Sequence, residues 1–227
     1  MIVRINNNNP EKAIINHAVE ILEQGGVIIA PTETAYGLIA DATNKSAVNK
    51  IYKIKGRDFK KFLPLIAGSN CQLREFFKLN KKENELLKKY KGLTMVLLFK
   101  HLNTKALKHN IYLLPKQETC AVRVSTNEVV RQIAKKLGRP ITATSANKAG
   151  KKTCYSVEDI LKQFLPLRST LSKVRNTSPY QGEDIRIEDV DLILDAGKLA
   201  NKKPSTIVKM EDKEIKIVRQ GEVKVKL

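Results

Sequence analysis

Four stretches of this chain concentrate side chains able to do chemistry. Pro31-Thr-Glu-Thr-Ala-Tyr-Gly37 packs two hydroxyls, a carboxylate and a phenol into a turn bounded by Pro and Gly. Lys55-Gly-Arg57, with Lys60 and Lys61 close behind, sets cations around a glycine. Such cations can grip a triphosphate, Arg through its planar fork and Lys as a point charge. Ala143-Thr-Ser145-Ala-Asn147-Lys-Ala-Gly150 offers hydroxyls, an amide and loop N–H groups that can cradle an anion. Arg123 sits inside the apolar run Ala121-Val-Arg-Val124. Strand alternation puts it on the face opposite its neighbours, either in solvent or in a pocket that binds a carboxylate. Each stretch also has a plainer alternative: a solvated turn, basic residues complementing a helix C-terminus, or an ordinary polar strand-to-helix loop.

Phosphate motifs with known mechanics are missing. The chain has no G-x-x-x-x-G-K-[ST], no G-x-G-x-x-G and no G-x-S-x-G elbow. If ATP is used, scattered side chains hold it. Cys71, Cys120 and Cys154 are odd in number, far apart and form no C-x-x-C pair. That argues against a disulfide scaffold and a Cys-based zinc site, and fits a reducing cytoplasm. His17, His101 and His109 show no metal spacing, so no protein-built metal site is expected.

The elements that must carry these stretches alternate between helix and strand. Ile2 to Ile5 reads as a short strand and Asn6 to Asn9 as a polar loop. Asn9-Pro10 reads as an N-cap with Pro at the first helical position. Apolar residues at Ala13, Ile14, Ala18, Ile21 and Leu22 share one helical face, and Gly25-Gly26 ends that helix. Val27 to Ala30 is a short apolar run, the mark of a strand buried on both faces. Helices follow at Lys45 to Lys55, Lys81 to Lys89 and Glu128 to Leu137. Strands are expected at Leu63 to Ala67, Leu93 to Phe99, Ala121 to Val124 and Ile141 to Thr144. Ser156 with Asp159 resembles a capping box ahead of a helix from Val157 to Phe164. Leu192 to Leu194, Thr206 to Lys209 and Ile215 to Arg219 read as closing strands. This pattern predicts a layered α/β domain, helices on a twisted mixed sheet. Ligands in such sheets sit in the loops after the strands. The stretch from Leu165 to Ile187, with Pro166, Pro179 and Gly182, reads as a long loop or insertion.

The 227 residues suit one domain spanning 1–227, and a hydrophobic fraction of 42% supplies a core built on Ile, Leu, Val and Ala, since Trp is absent. No apolar run is long enough for a membrane span, and the N-terminus lacks a secretory pattern. The net charge of +19 concentrates anions near the chain, and nucleotides, RNA and acidic lipid faces are the candidates. Compositional drift toward Lys, Asn and Ile is the alternative source of that charge.

Taken in order, these segments resemble the YrdC-like family, which includes the TsaC-type threonylcarbamoyl-AMP synthases. The residues that carry the resemblance are Gly25 to Leu38, Lys55-Gly-Arg57 with Lys61 and Leu63-Pro-Leu65, Leu93-Thr94 and Ala121 to Val124. Ala143 to Asn147 with Gly150, Leu192 to Gly197, Pro204-Ser-Thr206, and Val218-Arg219 with Gly221 complete the set. The resemblance spans roughly residues 10 to 223. It implies a single YrdC-like domain with a central cleft. It also implies synthesis of threonylcarbamoyl-AMP and pyrophosphate from L-threonine, bicarbonate and ATP, with Mg²⁺ carried by the ATP. The product would serve N6-threonylcarbamoyladenosine formation in tRNA, through downstream threonylcarbamoyl-transfer proteins in the cytoplasm. Lys55, Arg57, Ser145 and Asn147 match the nucleotide and carbamate grip and are the catalytic candidates. Thr94 and Arg219 match positions that touch ATP. Thr32, Lys61, Arg123, Ser145 and Ser205 match positions around the threonine, and Tyr36 is a further packing candidate.

The sequence departs from the family pattern at Asp58 and Phe62, where Pro is usual, and at Tyr90-Lys-Gly92, which replaces most of a P-G-P turn. An alternative reading is an RNA-binding module of the same fold without synthase activity, contacting tRNA or double-stranded RNA through phosphates. A carbamoyl-transfer domain like that of hydrogenase maturation proteins is a third reading, weakened by the missing C-x-x-C pairs.

Overall fold

The structure is a computed structural model that describes residues 1–100, 118–164, 189–212 and 214–226. In chain order the elements are β1 (Ile2–Arg4), α1 (Lys12–Glu23), β2 (Ile28–Pro31), β3 (Tyr36–Ile39), α2 (Lys45–Lys55) and β4 (Leu65–Ala67). Next come α3 (Asn70–Phe76), α4 (Lys81–Lys89), β5 (Thr94–Leu98), β6 (Thr119–Val124), α5 (Glu128–Leu137), β7 (Ile141–Thr142) and β8 (Thr144–Ser145). The chain continues with α6 (Val157–Phe164), β9 (Leu192–Asp195), β10 (Ile207–Glu211) and β11 (Glu214–Arg219). The expected mixed α/β class holds. The described strands divide between a five-stranded sheet, β1-β9-β2-β3-β8, and a six-stranded sheet, β11-β10-β5-β6-β4-β7. The insertion expected at 165–187 lies outside the described residues.

Burial on both faces explains the apolar strands. Val27 and Ile29 face α2 and α6 in one cluster, while Ile28 and Ala30 face α1 and α5 in another. A third cluster joins Leu65, Met95, Leu97 and Val122 of the six-stranded sheet to Leu73 and Phe76 of α3 and Leu86 and Leu87 of α4. Ile66 and Ile141 of the six-stranded sheet enter the α1–α5 cluster, so that core is common to both sheets.

Several expectations are corrected. The first helix starts at Lys12, not at Pro10, and Asn9 does not cap it. Asn6 folds the Asn run back on itself instead, its Oδ1 accepting from the N–H groups of Asn8 and Asn9 at 3.0 Å each. This is the local side-chain competition that favours turns over helix starts. The run from Ile141 to Thr144 is not one strand. It breaks after Thr142, passing from the six-stranded to the five-stranded sheet. Thr142 makes the junction: its Oγ1 accepts from Ala40 N at 2.9 Å and donates to Leu38 O at 3.2 Å. Ala143 N, between the two short strands, donates to Pro64 O at 2.8 Å. The turn expected from Pro31 to Gly37 is shorter than read, because β3 begins at Tyr36 and pairs back on β2. Helix α3, capped by Ser69 Oγ accepting from Gln72 N, had no expectation attached to it. Ser156 Oγ does accept from Asp159 N at 3.2 Å, and the Asp159 carboxylate returns to Tyr155 N.

Candidate active site

Helix α2 delivers the first group of polar residues. Asn44 Oδ1 accepts from Ala47 N to start the helix, and Gly56 at φ 57° ends it in the left-handed region. Glycine adopts that conformation without a Cβ penalty. Lys55 therefore lies on the last turn, only 4% exposed, with its ammonium turned inward. Its Nζ donates to Ser145 O at 2.5 Å, Asn147 O at 2.9 Å and Asn147 Oδ1 at 3.0 Å. Ser145 Oγ donates to the same Oδ1 at 2.5 Å, and Asn147 Nδ2 donates to Lys148 O and Lys151 O. Burial, with Arg57 nearby, pushes the Lys55 pKa down from 10.5 to about 8. The ring of carbonyl oxygens favours the charged form, so Lys55 is an ammonium at neutral pH. Arg57 Nε and Nη2 donate to the carbonyls of Lys61 and Phe62 at 3.2 and 2.8 Å. Burial draws the Arg57 pKa below its ordinary value, against the pull of Tyr52 and Asp58.

One end of the six-stranded sheet supplies a second group. Thr94, at the start of β5, donates its hydroxyl to Ser205 Oγ at 2.9 Å. Arg219, at the end of β11, reaches the same serine, with Nε and Nη2 on Ser205 O at 3.1 and 2.7 Å and Nη2 on Ser205 Oγ at 3.2 Å. Gly221 lets these segments close, since a Cβ there would stand 1.9 Å from Pro204 O. Its N–H donates to Thr206 Oγ1 at 2.9 Å.

Arg123, on β6 and only 5% exposed, is neither in bulk solvent nor waiting alone. Its Nε donates to Glu33 Oε1 at 2.5 Å, and Ser125 Oγ donates to the other carboxylate oxygen. Burial alone would raise the Glu33 pKa. The guanidinium, the Ser125 hydroxyl and the residue's own backbone N–H outweigh it, so Glu33 is ionised well into acid. Arg123 is also near enough to Arg219 to add to the burial that lowers the latter's pKa.

The β2–β3 hairpin joins the groups. Glu33, in its turn, meets Arg123 of the six-stranded sheet. Gly37, on its second strand, pairs with Ser145, and Ala146 N donates to Tyr36 O at 2.8 Å. Lys55, Ser145 and Asn147 are thus in direct contact, as are Thr94, Ser205 and Arg219, while Arg57 and Arg123 stand beside one group each. Thr32 is buried, but its hydroxyl closes the hairpin turn on Ala35 O at 2.7 Å. Lys61 is exposed, and its carbonyl rather than its ammonium is engaged here. Tyr36 is fully buried and acts as a strut: its hydroxyl donates to Gly197 O at 2.7 Å and accepts from Ala196 N at 3.0 Å. Sequence reasoning missed Glu33 and Ser125 as partners of Arg123. The carboxylate in a hydroxyl-rich turn and the buried-strand arginine were signals for half of that cluster.

A groove of about 590 Å³ between α1 and α5, lined by Lys12, Arg131, Lys135 and Lys136, contains none of the candidate residues. Among the described residues no group of three or more His, Cys, Asp or Glu could hold a metal ion. No helix among them is long and apolar enough to cross a membrane.

Comparison with known proteins fits this arrangement. The family model described as Sua5_yciO_yrdC, telomere recombination, matches residues 20–171. A putative threonylcarbamoyl-AMP synthase of Methanocaldococcus jannaschii is 26% identical over 219 residues, covering 96% of this chain and 91% of that protein. E. coli YciO superimposes with a TM-score of 0.74 at 25% identity, covering 97% of this chain and 95% of that one. P. abyssi Sua5 complexed with L-threonine superimposes with a TM-score of 0.75 at 25% identity. That match covers 97% of this chain and 57% of the P. abyssi chain, so the present chain spans little more than half of that protein's length. On the strength of the family model and these likenesses, the chain belongs to the Sua5/YciO/YrdC family.

Proposed function

We propose that this chain is a threonylcarbamoyl-AMP synthase. The threonine amine attacks bicarbonate and gives a carbamate with loss of water. A carbamate oxygen then displaces pyrophosphate from the α-phosphate of ATP. No enzyme nucleophile is needed, so the work is to hold two anionic reactants together and to neutralise charge growing on the phosphate. Lys55, Arg57, Ser145 and Asn147 take the phosphate and carbamate side, with Thr94 and Arg219 on the nucleotide. Arg123, Ser205, Thr32 and the exposed Lys61 take the threonine side. Mg²⁺ travels on the ATP phosphates. The product is passed to the proteins that complete threonylcarbamoyladenosine in tRNA, in the cytoplasm, and residues 1–227 act as one domain.

The observation that carries the reading is the pair of cationic groups tied together by the β2–β3 hairpin. One is set around Lys55 and the other around Arg123 and Arg219. A nucleotide beside a carboxylate substrate needs positive charge at two places a short distance apart, and buried Lys and Arg supply it. Relatives named threonylcarbamoyl-AMP synthase and a neighbour complexed with L-threonine support the same chemistry.

The test is pyrophosphate release from ATP, Mg²⁺ and bicarbonate with single amino acids. Threonine is expected to stimulate release, and Lys55→Ala to lower turnover by about a hundredfold or more while the fold persists. Absence of amino-acid-dependent release from the intact chain, with salt-sensitive RNA binding instead, would put the RNA-binding reading in its place.

A further inference from the structure

The buried Arg123–Glu33–Ser125 cluster raises a question that the proposed reaction leaves open: what a buried carboxylate does on an arginine meant for the substrate's carboxylate. Glu33 takes the Nε side of the guanidinium and leaves the paired terminal nitrogens unengaged. Among the described residues those nitrogens have no hydrogen-bond partner, and they are not among the buried unpartnered atoms. Those two parallel N–H groups form a fork that binds a carboxylate bidentately.

The cluster is anchored from behind. Ser125 Oγ holds Glu33 and accepts from Asn127 N at 3.1 Å. Asn127 Oδ1 in turn caps α5, accepting from Val129 N and Val130 N. A helix start thus fixes the serine, the serine fixes the carboxylate, and the carboxylate fixes the rotation of the guanidinium. Charge enters as well. The exposed Arg219 lies within the field of the buried Arg123, and a buried charge beside a like charge is costly unless it is balanced. Glu33 is the balancing charge closest at hand.

We propose that Glu33 is a positioning residue that clamps Arg123 by its Nε, aims its terminal nitrogens at the α-carboxylate of the amino-acid substrate and offsets the charge it shares with Arg219. This rests on the synthase reading for the identity of the substrate. Glu33 does not touch the reacting atoms. Its loss should therefore weaken amino-acid binding and spare the nucleotide and the chemical step. A merely structural role would lower all three together.

The experiment compares the intact chain with Glu33→Gln and Ser125→Ala. Threonine binding is measured by calorimetry, and the KM for threonine, the KM for ATP and kcat by pyrophosphate release. Glu33→Gln is expected to raise the threonine Kd and KM by about tenfold or more, the scale of a misplaced binding group. The KM for ATP and kcat should move less than about threefold. Ser125→Ala keeps both charges and loosens only the anchor, so a smaller shift of the same kind is expected. It carries the test if Glu33→Gln fails to fold by circular dichroism. Unchanged threonine affinity in either folded variant, or an equal loss in ATP affinity and kcat, overturns the proposal. If the intact chain binds threonine but releases no pyrophosphate, the synthase reading falls, and the calorimetric comparison still decides the role of Glu33. If the intact chain binds no amino acid, both fall.

Discussion

Lys55 shows how one side chain can be both buried and charged. Its place on the last turn of α2, just before the Gly56 cap, puts its ammonium against Ser145 and Asn147, whose oxygen atoms replace the water it loses. Burial still lowers its pKa to about 8, well under the 10.5 of a free lysine. The unfolded chain then holds a proton that the folded chain has released between those values. Stability gains from this group as pH rises from about 8 to 10.5, and its burial is a net cost below that. Activity should run the other way, because only the ammonium neutralises phosphate. We expect kcat/KM for ATP to fall as pH rises through about 8, with the limb in kcat displaced upward because bound ATP favours the charged form. A profile that stays flat up to the ordinary lysine range would remove Lys55 from the phosphate side. The same residue also shows what was readable in advance. Lys55-Gly-Arg57 is a local pattern at a helix end, and Ser145 and Asn147 lie two residues apart, so residue types and spacing sufficed to single them out. Glu33 and Arg123 are 90 residues apart, and no local pattern joins them.

At the scale of elements, the arrangement depends on close backbone approaches. Where β10 and β11 open beyond Arg219, Gly221 lies against the Pro204–Thr206 backbone. A methyl group there would meet Pro204 O at 1.9 Å and Thr206 N at 2.7 Å, both main-chain atoms that cannot swing aside. Gly221→Ala should cost about 1–3 kcal/mol of stability, the range for overpacking. It should also raise the KM for ATP, because Ser205 and Arg219 would shift together. Chemical denaturation and steady-state kinetics check both, and a variant with wild-type stability would refute the tight approach. The element boundaries were mostly legible. α2, α4 and α5 run over the expected Lys45 to Lys55, Lys81 to Lys89 and Glu128 to Leu137. The split of Ile141 to Ser145 between two sheets was not, because a run as short as Ile141-Thr-Ala-Thr144 reads the same whether one sheet or two receive it. Thr142 looked like an ordinary strand residue, yet its hydroxyl takes a ladder position at the junction.

For the whole molecule, the net charge of +19 dominates. Self-repulsion of this size opposes the compact state, and added salt screens it. The Debye length falls from about 30 Å at 0.01 M to about 8 Å at 0.15 M. The melting temperature should therefore rise over that range, by about 2–4 °C for each kcal/mol of repulsion removed. A melting temperature that is flat or falls with sodium chloride would mean that the charges are already balanced locally. The α1–α5 groove, with Lys12, Lys135 and Lys136, adds to the excess charge without belonging to the candidate site.

The sequence by itself determined the mixed α/β class, most elements, the family resemblance and the polar residues of each candidate stretch. These depend on neighbours three to five positions away, on periodicity and on motif order, all written along one line. Only the tertiary structure decided which stretches meet. The pairing of Arg123 with Glu33, the common grip of Thr94 and Arg219 on Ser205, and the hairpin that ties both groups together are contacts between distant segments. Chain closure and the packing of two sheets on a common core create them, and no single segment contains that information.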